Sequence, residues 1–394
     1  MQAEPHTVLP TPDAQSAAHS ARVAAYVRDR IAAAGGRISF AEYMHDVLYA
    51  PGLGYYSAGT AKFGAGGDFV TAPEVSPVFG RVLARQCAEV MSGTGEWELL
   101  EFGAGTGRLA ADLLARLAEL DALPRRYCIV EVSAELRARQ RALLEAEIPE
   151  HLDRIRWLDG MPDAHTGIVV ANEVLDAMPV ERFVRRADAV AQLCVADAGD
   201  HLVLTEGPAP DFLARAVETI EAELGRALPA GYVSEVNTAA PGWIAELAAR
   251  MQRGVAFLFD YGVSRREYYA PERSGGWLRC HYRHRVHDDP LLLPGIQDLT
   301  AWVDFTSVAG AAADNGLAVA GFVSQAQFLL GGGLGAELAG MSELTTDAQL
   351  ELSRQVKLLT LPSEMGENFK CLGLSRDPAA RPTAFGTADR TVSL

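Results

Sequence analysis

The sequence predicts an α/β fold with a mostly parallel sheet, and three observations support this prediction. Short apolar runs alternate with helical segments from Trp97 onwards, which is typical of consecutive strand–helix units. Most of these runs end at a polar residue or a glycine, as buried parallel strands do. With 394 residues and 49% hydrophobic content, the chain can bury a core of this size.

The N-terminal part is expected to be helical and to precede the sheet. Residues 1–20 contain three prolines and show no hydrophobic period, so we expect a disordered leader there. An N-terminal region of residues 21–95 follows, with helices at 21–34 and 39–48, a glycine- and proline-rich loop at 64–80, and a helix at 78–91. Ser39 and Glu42 have the spacing of a capping box for the second helix.

The predicted core spans residues 96–376, and a C-terminal tail covers 377–394. Two insertions are expected at about 180–235 and 262–305, the first containing a β-hairpin with its turn at residues 198–200. The core elements are strands 98–102, 127–130, 155–158, 168–171, 255–259, 317–323 and 369–374, with helices 108–120 and 134–146.

Composition excludes several classes of function. The formal charge is −16, from 35 Lys and Arg against 51 Asp and Glu, which disfavours nonspecific binding of nucleic acid. No apolar run is long enough for membrane insertion. The five cysteines are scattered, and the first twenty-one residues contain no Lys or Arg, which fits neither a secretory signal nor a transit peptide. We expect a cytoplasmic protein of a bacterium, and a mitochondrial one only if the source is eukaryotic.

The strongest chemical signal is the segment Glu101–Gly107, with the sequence EFGAGTG, between a predicted strand and a helix. Glycines at that turn let the backbone approach a ligand closely. The dinucleotide-binding fingerprint GxGxxG has its third glycine at the position where this chain has Arg108, which disfavours NAD as the cofactor. Glu131 closes the next strand and is placed to accept ribose hydroxyls, a role that serves NAD and S-adenosylmethionine alike.

A second polar group follows the strand at 168–171. Asn172 and Glu173 close this strand, so they should face the reactive end of a bound cofactor. Asp176 follows one turn later, where an acid at a helix N-terminus is an equally good interpretation. Glu235 and Asp260 are further strand-end acids that could contact a bound acceptor, and turn formation or capping is the alternative interpretation of each.

These motifs together resemble the MidA family of class I S-adenosylmethionine-dependent methyltransferases over roughly residues 21–376. The motifs are GDFVTAPE at 67–74, the glycine loop, VEVS at 130–133, NEVLD at 172–176, FDYG at 259–262, DLT at 298–300 and MGENFK at 365–370. The resemblance implies a Rossmann-like methyltransferase core, S-adenosyl-L-methionine as the cofactor, and arginine in a protein partner as an acceptor. Because the family includes a mitochondrial assembly factor for respiratory complex I, it also points to a complex I subunit as a partner.

The site residues follow from the motifs and the resemblance. An arginine acceptor needs a carboxylate that orients the guanidinium and receives its proton, since guanidinium is protonated at neutral pH. Glu173 is the first candidate, and Asp176 and Glu235 are the other predicted catalytic residues. The predicted cofactor-binding residues are Thr71, Glu101, Gly103, Ala104, Gly105, Gly107, Glu131, Val132 and Asn172.

The histidines His281, His284 and His287 would share one face only on a helix, and nearby glycines and Asp288-Asp289-Pro290 favour a loop instead. We therefore predict no metal site and a substrate-facing loop.

Three alternative functions of the protein stay open: a methyltransferase for a small molecule or RNA, an assembly factor that binds S-adenosylmethionine without turnover, and a dehydrogenase. The sequence leaves the oligomeric state undetermined.

Overall fold

A computed structural model describes residues 9–58, 70–92, 97–377 and 380–394. The helices in chain order are α1 (Ala14–Ala33), α2 (Phe40–Tyr49), α3 (Ala72–Val75), α4 (Pro77–Val90), α5 (Arg108–Glu119), α6 (Ala134–Glu147), α7 (Asp211–Leu224), α8 (Ala240–Arg250), α9 (Arg265–Tyr268), α10 (Phe305–Asp314), α11 (Gln325–Gly331), α12 (Leu334–Glu337), α13 (Thr346–Thr360) and α14 (Met365–Asn368).

The strands in chain order are β1 (Arg37–Ser39), β2 (Glu98–Phe102), β3 (Arg126–Val130), β4 (Ile155–Leu158), β5 (His165–Asn172), β6 (Glu181–Arg185), β7 (Val190–Asp197), β8 (Leu202–Pro208), β9 (Val233–Val236), β10 (Met251–Val263), β11 (Leu278–Tyr282), β12 (Arg285–His287), β13 (Asp298–Ala301), β14 (Val303–Asp304), β15 (Ala318–Ser324) and β16 (Phe369–Ser375). Short 3-10 turns occur at Pro149–Arg154, Pro271–Arg273, Met341–Glu343, Thr383–Phe385 and Thr391–Ser393.

The described chain divides into two compact units. The core unit comprises Val70–Leu175, Pro241–Val263 and Phe305–Leu394. The second unit comprises the described parts of Met1–Phe69 together with Asp176–Ala240 and Ser264–Asp304. This division differs from the predicted one, because the N-terminal helices α1 and α2 group with both insertions, whereas α3 and α4 belong to the core unit.

The core unit contains a sheet with the strand order β15-β16-β10-β5-β2-β3-β4. The five strands from β10 to β4 are parallel, and β16 pairs antiparallel with both β10 and β15. Helix α5 buries Leu109, Leu113 and Leu117, spaced four residues apart on one face. These leucines join a large hydrophobic cluster with the buried residues of the central strands. The predicted Rossmann-like α/β core with a mostly parallel sheet is confirmed.

The second unit contains two smaller antiparallel sheets. One has the order β1-β7-β6-β9 with β8 paired to β7, and the other has the order β12-β11-β13. Helix α1 buries Val23, Val27 and Ile31 at four-residue spacing, and they pack in this unit's own hydrophobic cluster. The predicted hairpin is thus β7 and β8, with its turn at residues 198–200, within a larger sheet.

Three sequence expectations about local structure need correction. Helix α1 begins at Ala14, not Ala21, because the Asp13 side chain accepts a hydrogen bond from the Ser16 N–H and caps it. The predicted tail is packed at Phe385, which is fully buried. The histidine segment, predicted to be a loop, forms the hairpin β11–β12 with His284 in its turn. The capping box of Ser39 and Glu42 on α2 is confirmed.

Among the described residues, no helix is long and apolar enough to cross a membrane.

Candidate functional site

The carboxyl ends of the parallel strands meet in register at one edge of the core sheet. Phe102, the last residue of β2, lies opposite Val130 of β3 on one side and Ala171 of β5 on the other. Asn172 of β5 in turn lies opposite Phe259 of β10. The residues that follow these positions therefore share the edge where open parallel sheets bind their ligands.

The glycine loop between β2 and α5 has a backbone that only glycine adopts easily. Gly105 and Gly107 have φ values of 53° and 91°. A Cβ atom on Gly107 would lie 3.3 Å from the Gln140 Cα, whereas one on Gly105 would meet no described atom within 4 Å. Gly107 thus allows helix α5 to approach α6, and Gly105 leaves open space beside the loop.

Glu131, the acid after β3, is tied to this loop through Gln140 of α6. The Gln140 side chain is completely buried, and its Nε2 donates to the Glu131 carboxylate at 3.2 Å and to the Gly105 carbonyl at 3.1 Å. Trp157 of β4 donates from Nε1 to the Gln140 Oε1 at 2.9 Å, which fixes the amide orientation. Burial raises the pKa of Glu131 above its usual value.

Glu131 retains room for a ligand despite these contacts. Its carboxylate accepts one hydrogen bond from Gln140 and another from the Ser133 N–H at 2.8 Å. A carboxylate offers about four acceptor positions, so hydroxyl groups of a ribose can still bind to it. The next side chain, Val132, is 79% exposed, an apolar surface placed where a flat ring can cover it.

The remaining predicted cofactor residues differ in their surroundings. Gly103 also belongs to the loop and has a φ of 65°. The Ala104 side chain lies in the hydrophobic core. Glu101 is 2% exposed and accepts a hydrogen bond from the Tyr127 hydroxyl at 2.8 Å, and burial raises its pKa to about 7. Thr71 precedes α3 without capping it by a side-chain hydrogen bond.

Helix α3 also contacts the glycine loop directly. The hydroxyl group of Thr106, in the middle of the loop, donates to the carboxylate of Glu74 on α3. Glu74 belongs to the GDFVTAPE motif, of which residues 67–69 lie outside the described residues. The first part of the core unit therefore helps to hold the loop in place.

The turn after β5 presents Asn172 and Glu173. Glu173 has a φ of 53°, a left-handed conformation that costs a residue with a side chain about 1–2 kcal/mol. The Asn172 Nδ2 donates to the Glu173 Oε1 at 3.1 Å, which leaves the Asn172 Oδ1 as the free side of the amide. This oxygen is buried and has no hydrogen-bond partner among the described residues. A buried acceptor of this kind usually has a partner, so a ligand with an N–H group fits there.

Two of the predicted catalytic residues belong to the second unit. Asp176 is 4% exposed, and its negative charge acts on Tyr49 and Tyr56. For both tyrosines burial is the main reason why the pKa is raised, and the nearby acids add to it. Glu235 has no exposed surface.

Glu235 already binds groups of its own unit. Its Oε1 accepts from the Arg182 Nε at 3.0 Å, and its Oε2 accepts from the Trp277 N–H at 2.8 Å. The sequence pattern contained no sign of this ion pair, since Arg182 and Glu235 lie on different strands. A catalytic role for Asp176 or Glu235 stays a prediction.

The histidine hairpin shows no clustered ligands. The part of the chain that the structure describes contains no group of three or more His, Cys, Asp or Glu side chains suited to a metal ion. Burial, with smaller contributions from the neighbouring His287 and Arg279, lowers the pKa of His281 to about 4. This histidine is therefore neutral at physiological pH.

The fold and the edge residues define a class of protein. A parallel sheet with a GxGxG turn after β2, an acid after β3 and an Asn-Glu pair after β5 is the arrangement of a nucleoside-cofactor enzyme. The open space at Gly105, the exposed Val132 and the unsatisfied Asn172 oxygen fit S-adenosylmethionine, which presents a ribose, an adenine ring and an ammonium group. These features are those of an S-adenosylmethionine-dependent methyltransferase.

The sequence comparisons agree with this class and give the family. Residues 82–323 match the family model described as putative S-adenosyl-L-methionine-dependent methyltransferase, and the chain belongs to this family. The protein arginine methyltransferase NDUFAF7 of Rattus norvegicus mitochondria is 31% identical over 372 residues, covering 86% of this chain and 81% of that protein. Its Danio rerio counterpart is 29% identical over 369 residues, covering 86% of this chain and 83% of that protein.

A solved structure supports the cofactor. A Burkholderia thailandensis protein crystallised with S-adenosyl-homocysteine has a TM-score of 0.92 to this chain and 42% sequence identity. The match covers 98% of this chain and 100% of that one. The resemblance to the MidA family of S-adenosylmethionine-dependent methyltransferases and the choice of S-adenosylmethionine are therefore confirmed.

Proposed function

We propose that this enzyme transfers a methyl group from S-adenosylmethionine to an arginine side chain of a protein partner. The main structural support is the position of Glu173, whose partly exposed side chain directly follows the central strand β5. The mitochondrial relatives, named protein arginine methyltransferases, align with most of the chain and support the same acceptor. The family resemblance found in the sequence makes a subunit of respiratory complex I the first partner to test.

We place this reaction in the cytoplasm of a bacterium. All five cysteines are free thiols within the described chain, which suits a reducing compartment.

The cofactor is proposed to lie along the carboxyl edge of the core sheet. Gly103, Gly105 and Gly107 form the loop against which the cofactor lies, and Glu131 accepts hydrogen bonds from the ribose hydroxyls. Val132 covers the adenine ring, and the Asn172 Oδ1 accepts from the ammonium group. At the usual strand spacing, β3 and β5, which lead to Glu131 and Glu173, lie about 10 Å apart on either side of β2, so the ribose and the methyl group have separate positions. Thr71, Glu101 and Ala104 are assigned to supporting the loop and its neighbours.

Glu173 is proposed to hold and deprotonate the acceptor. When bound, S-adenosylmethionine supplies an activated sulfonium methyl group. A guanidinium nitrogen forms the new N–C bond as the S–C bond breaks, and the nitrogen then releases a proton. The Glu173 carboxylate can pair with the guanidinium and receive that proton, and the Asn172 amide orients the carboxylate through its 3.1 Å hydrogen bond.

The test is transfer of labelled methyl groups into lysate proteins by purified enzyme, followed by mass spectrometry of the labelled residues. We expect methylarginine. The Glu173→Gln variant keeps the shape of the side chain and removes its charge, so its turnover should fall about a hundredfold or more while its affinity for S-adenosylmethionine stays near wild type.

Gly105→Val is the matched control, because its side chain would enter the space beside the loop. It should remain folded yet lose both binding and transfer. Label on a small metabolite or on RNA, or a wild-type rate for Glu173→Gln, would contradict the proposal. Cofactor binding with no labelled product from any lysate would point instead to an assembly factor without turnover.

A further inference from the structure

We propose that Asp260 is a positioning residue that fixes the Glu173 turn, and that it acts through the backbone without contacting the acceptor. This inference rests on the proposed function, since it concerns how the carboxylate of Glu173 is aimed. Asp260 belongs to the FDYG motif, whose acid the sequence left open between an acceptor partner and a turn-forming residue.

Asp260 binds the backbone of two different segments. It lies within β10 with no exposed surface. Its Oδ2 accepts from the Leu175 N–H at 2.9 Å, and its Oδ1 accepts from the Tyr261 N–H, also at 2.9 Å. One carboxylate thereby connects the end of β10 to the residue two positions after Glu173.

The turn after β5 is held on both sides of Glu173. The Glu173 N–H donates to the Phe259 carbonyl at 2.9 Å, next to the Asp260 contact with Leu175. Between these two bonds the chain adopts the left-handed conformation at Glu173, with a φ of 53°. A non-glycine residue keeps this conformation only where its surroundings impose it. The two bonds to consecutive residues of β10 supply that constraint.

Val174 limits the same turn from the other side. A Cβ atom on Gly103 would lie only 2.8 Å from the Val174 Cγ2, so the glycine loop and the turn are closely apposed. If the hydrogen bond from the Leu175 N–H to Asp260 were lost, the turn could relax and the Glu173 carboxylate would lose its orientation. A displacement of about 1 Å at a reacting group can cost on the order of a hundredfold in rate.

The burial of Asp260 argues against direct contact with an acceptor. Asp260 has no exposed surface, and both of its carboxylate oxygens accept backbone N–H groups. These contacts stabilise the fold. With no exposed surface, the Asp260 carboxylate could meet a guanidinium only if the surrounding chain moved aside. The contacts therefore favour a positioning role for Asp260.

The test uses the isosteric variant Asp260→Asn in the full-length enzyme. An asparagine turns its NH2 group towards one of the two N–H donors, so one of the two bonds is lost without a change in packing volume. We expect turnover per folded molecule to fall about tenfold to a hundredfold, with affinity for S-adenosylmethionine within about twofold of wild type. In a Glu173→Gln background, the same substitution should cost little more, because both act on one group.

Asp389→Asn is a comparison variant within the core unit. The Asp389 Oδ1 accepts two backbone N–H groups, those of Phe322 and Thr391, each at 3.0 Å, and its Oδ2 accepts from the Arg381 guanidinium at 2.7 Å. This variant should lower the melting temperature without changing turnover at low temperature.

Three outcomes are distinguishable. If Asp260→Asn lowers stability alone, like Asp389→Asn, the positioning inference is wrong. The same follows if its loss adds fully to that of Glu173→Gln. If Glu173→Gln itself keeps wild-type turnover, the proposed function fails. The turnover of Asp260→Asn then shows separately whether the Asp260 carboxylate contributes to methyl transfer.

Discussion

Burial sets the protonation of individual side chains in the core unit, and Glu101 is the clearest case. Its carboxyl group is buried on strand β2, which leads into the glycine loop, and the Tyr127 hydroxyl donates a hydrogen bond to it. Burial raises its pKa to about 7, whereas the usual value is 4.5. In the unfolded chain the group ionises near the usual value, so folding is coupled to a proton at this residue.

The coupling has a definite sign. Between pH 4.5 and about 7 the folded protein keeps the proton that the unfolded chain releases. The contribution of Glu101 to stability is therefore fully present below pH 4.5 and is lost as the pH rises to about 7. Glu101→Gln cannot ionise but can still accept from Tyr127, so it should remove this loss and stabilise the protein above pH 7 by up to about 3 kcal/mol.

Urea unfolding of both proteins at a series of pH values checks the prediction. Glu218→Gln, which removes one carboxylate from an exposed position, serves as the control. A Glu101→Gln profile parallel to wild type would show that the carboxyl group ionises normally in the folded protein.

At the scale of elements, the short helix α12 is fixed by a buried charge. Its last residue, Glu337, has a side chain only 1% exposed and is surrounded by three arginines. The distances are 2.8 Å to the Arg81 Nε, 3.4 Å to the Arg85 Nη1 and 2.7 Å to the Arg116 Nη2. These arginines come from α4 and α5, so the carboxylate joins three helices.

Removing that carboxylate should be costly. Glu337→Ala leaves three arginines around an empty space and should lower the free energy of unfolding by about 3–5 kcal/mol. Glu119 provides a matched comparison, since it pairs with Arg81 and Arg116 but is 48% exposed. Glu119→Ala should cost less than about 1 kcal/mol. Denaturant unfolding measures both, and equal losses would mean that burial does not strengthen the Glu337 cluster.

At the scale of the whole molecule, the C-terminal segment completes the hydrophobic core of the core unit. Phe385 is fully buried and packs on Phe257 and Phe328, with ring centroids 6.2 Å and 5.8 Å apart. Its ring lies over Gly321 of β15 and Gly373 of β16. A Cβ atom on either glycine would approach the ring to 2.4 Å or 2.5 Å. The two glycines thus form the space that the ring fills.

Phe385→Ala should therefore lower the free energy of unfolding by about 3–5 kcal/mol through the cavity that it leaves. Gly373→Ala should also destabilise the protein, because its methyl group meets the ring. Val392→Ala, at a side chain that is 100% exposed, is the control and should change little. Thermal unfolding followed by calorimetry decides the matter. A Phe385→Ala melting temperature equal to that of wild type would show that the segment is dispensable for the core.

The parallel strands and the glycine turn were predictable because their signals are local. Apolar runs such as 98–102 and 155–158 match β2 and β4 at both ends, and the glycine spacing reflects the backbone of one turn. The capping box at Ser39 is also local, since its two partners lie three residues apart. Each of these features depends on neighbours along the chain.

The contacts that orient the candidate site were not predictable in the same way. Gln140 lies on α6, where several polar residues share the helix with leucines and alanines, so nothing in its pattern distinguishes the one side chain that bonds Glu131 and Gly105. The link from Asp260 to Leu175 spans 85 residues, and that from Arg182 to Glu235 spans 53.

The sequence by itself thus determined the strands of the core sheet, the helices α5 and α6, the glycine turn and the acids that end the strands, because periodicity and turn chemistry are properties of short segments. Only the tertiary structure decided which of these acids remain accessible and which are buried in internal bonds, as Asp260 and Glu235 are. It also decided that α1 and α2 group with the two insertions. The physical reason is that burial and hydrogen-bond partners depend on segments distant in the chain, whose approach local patterns do not encode.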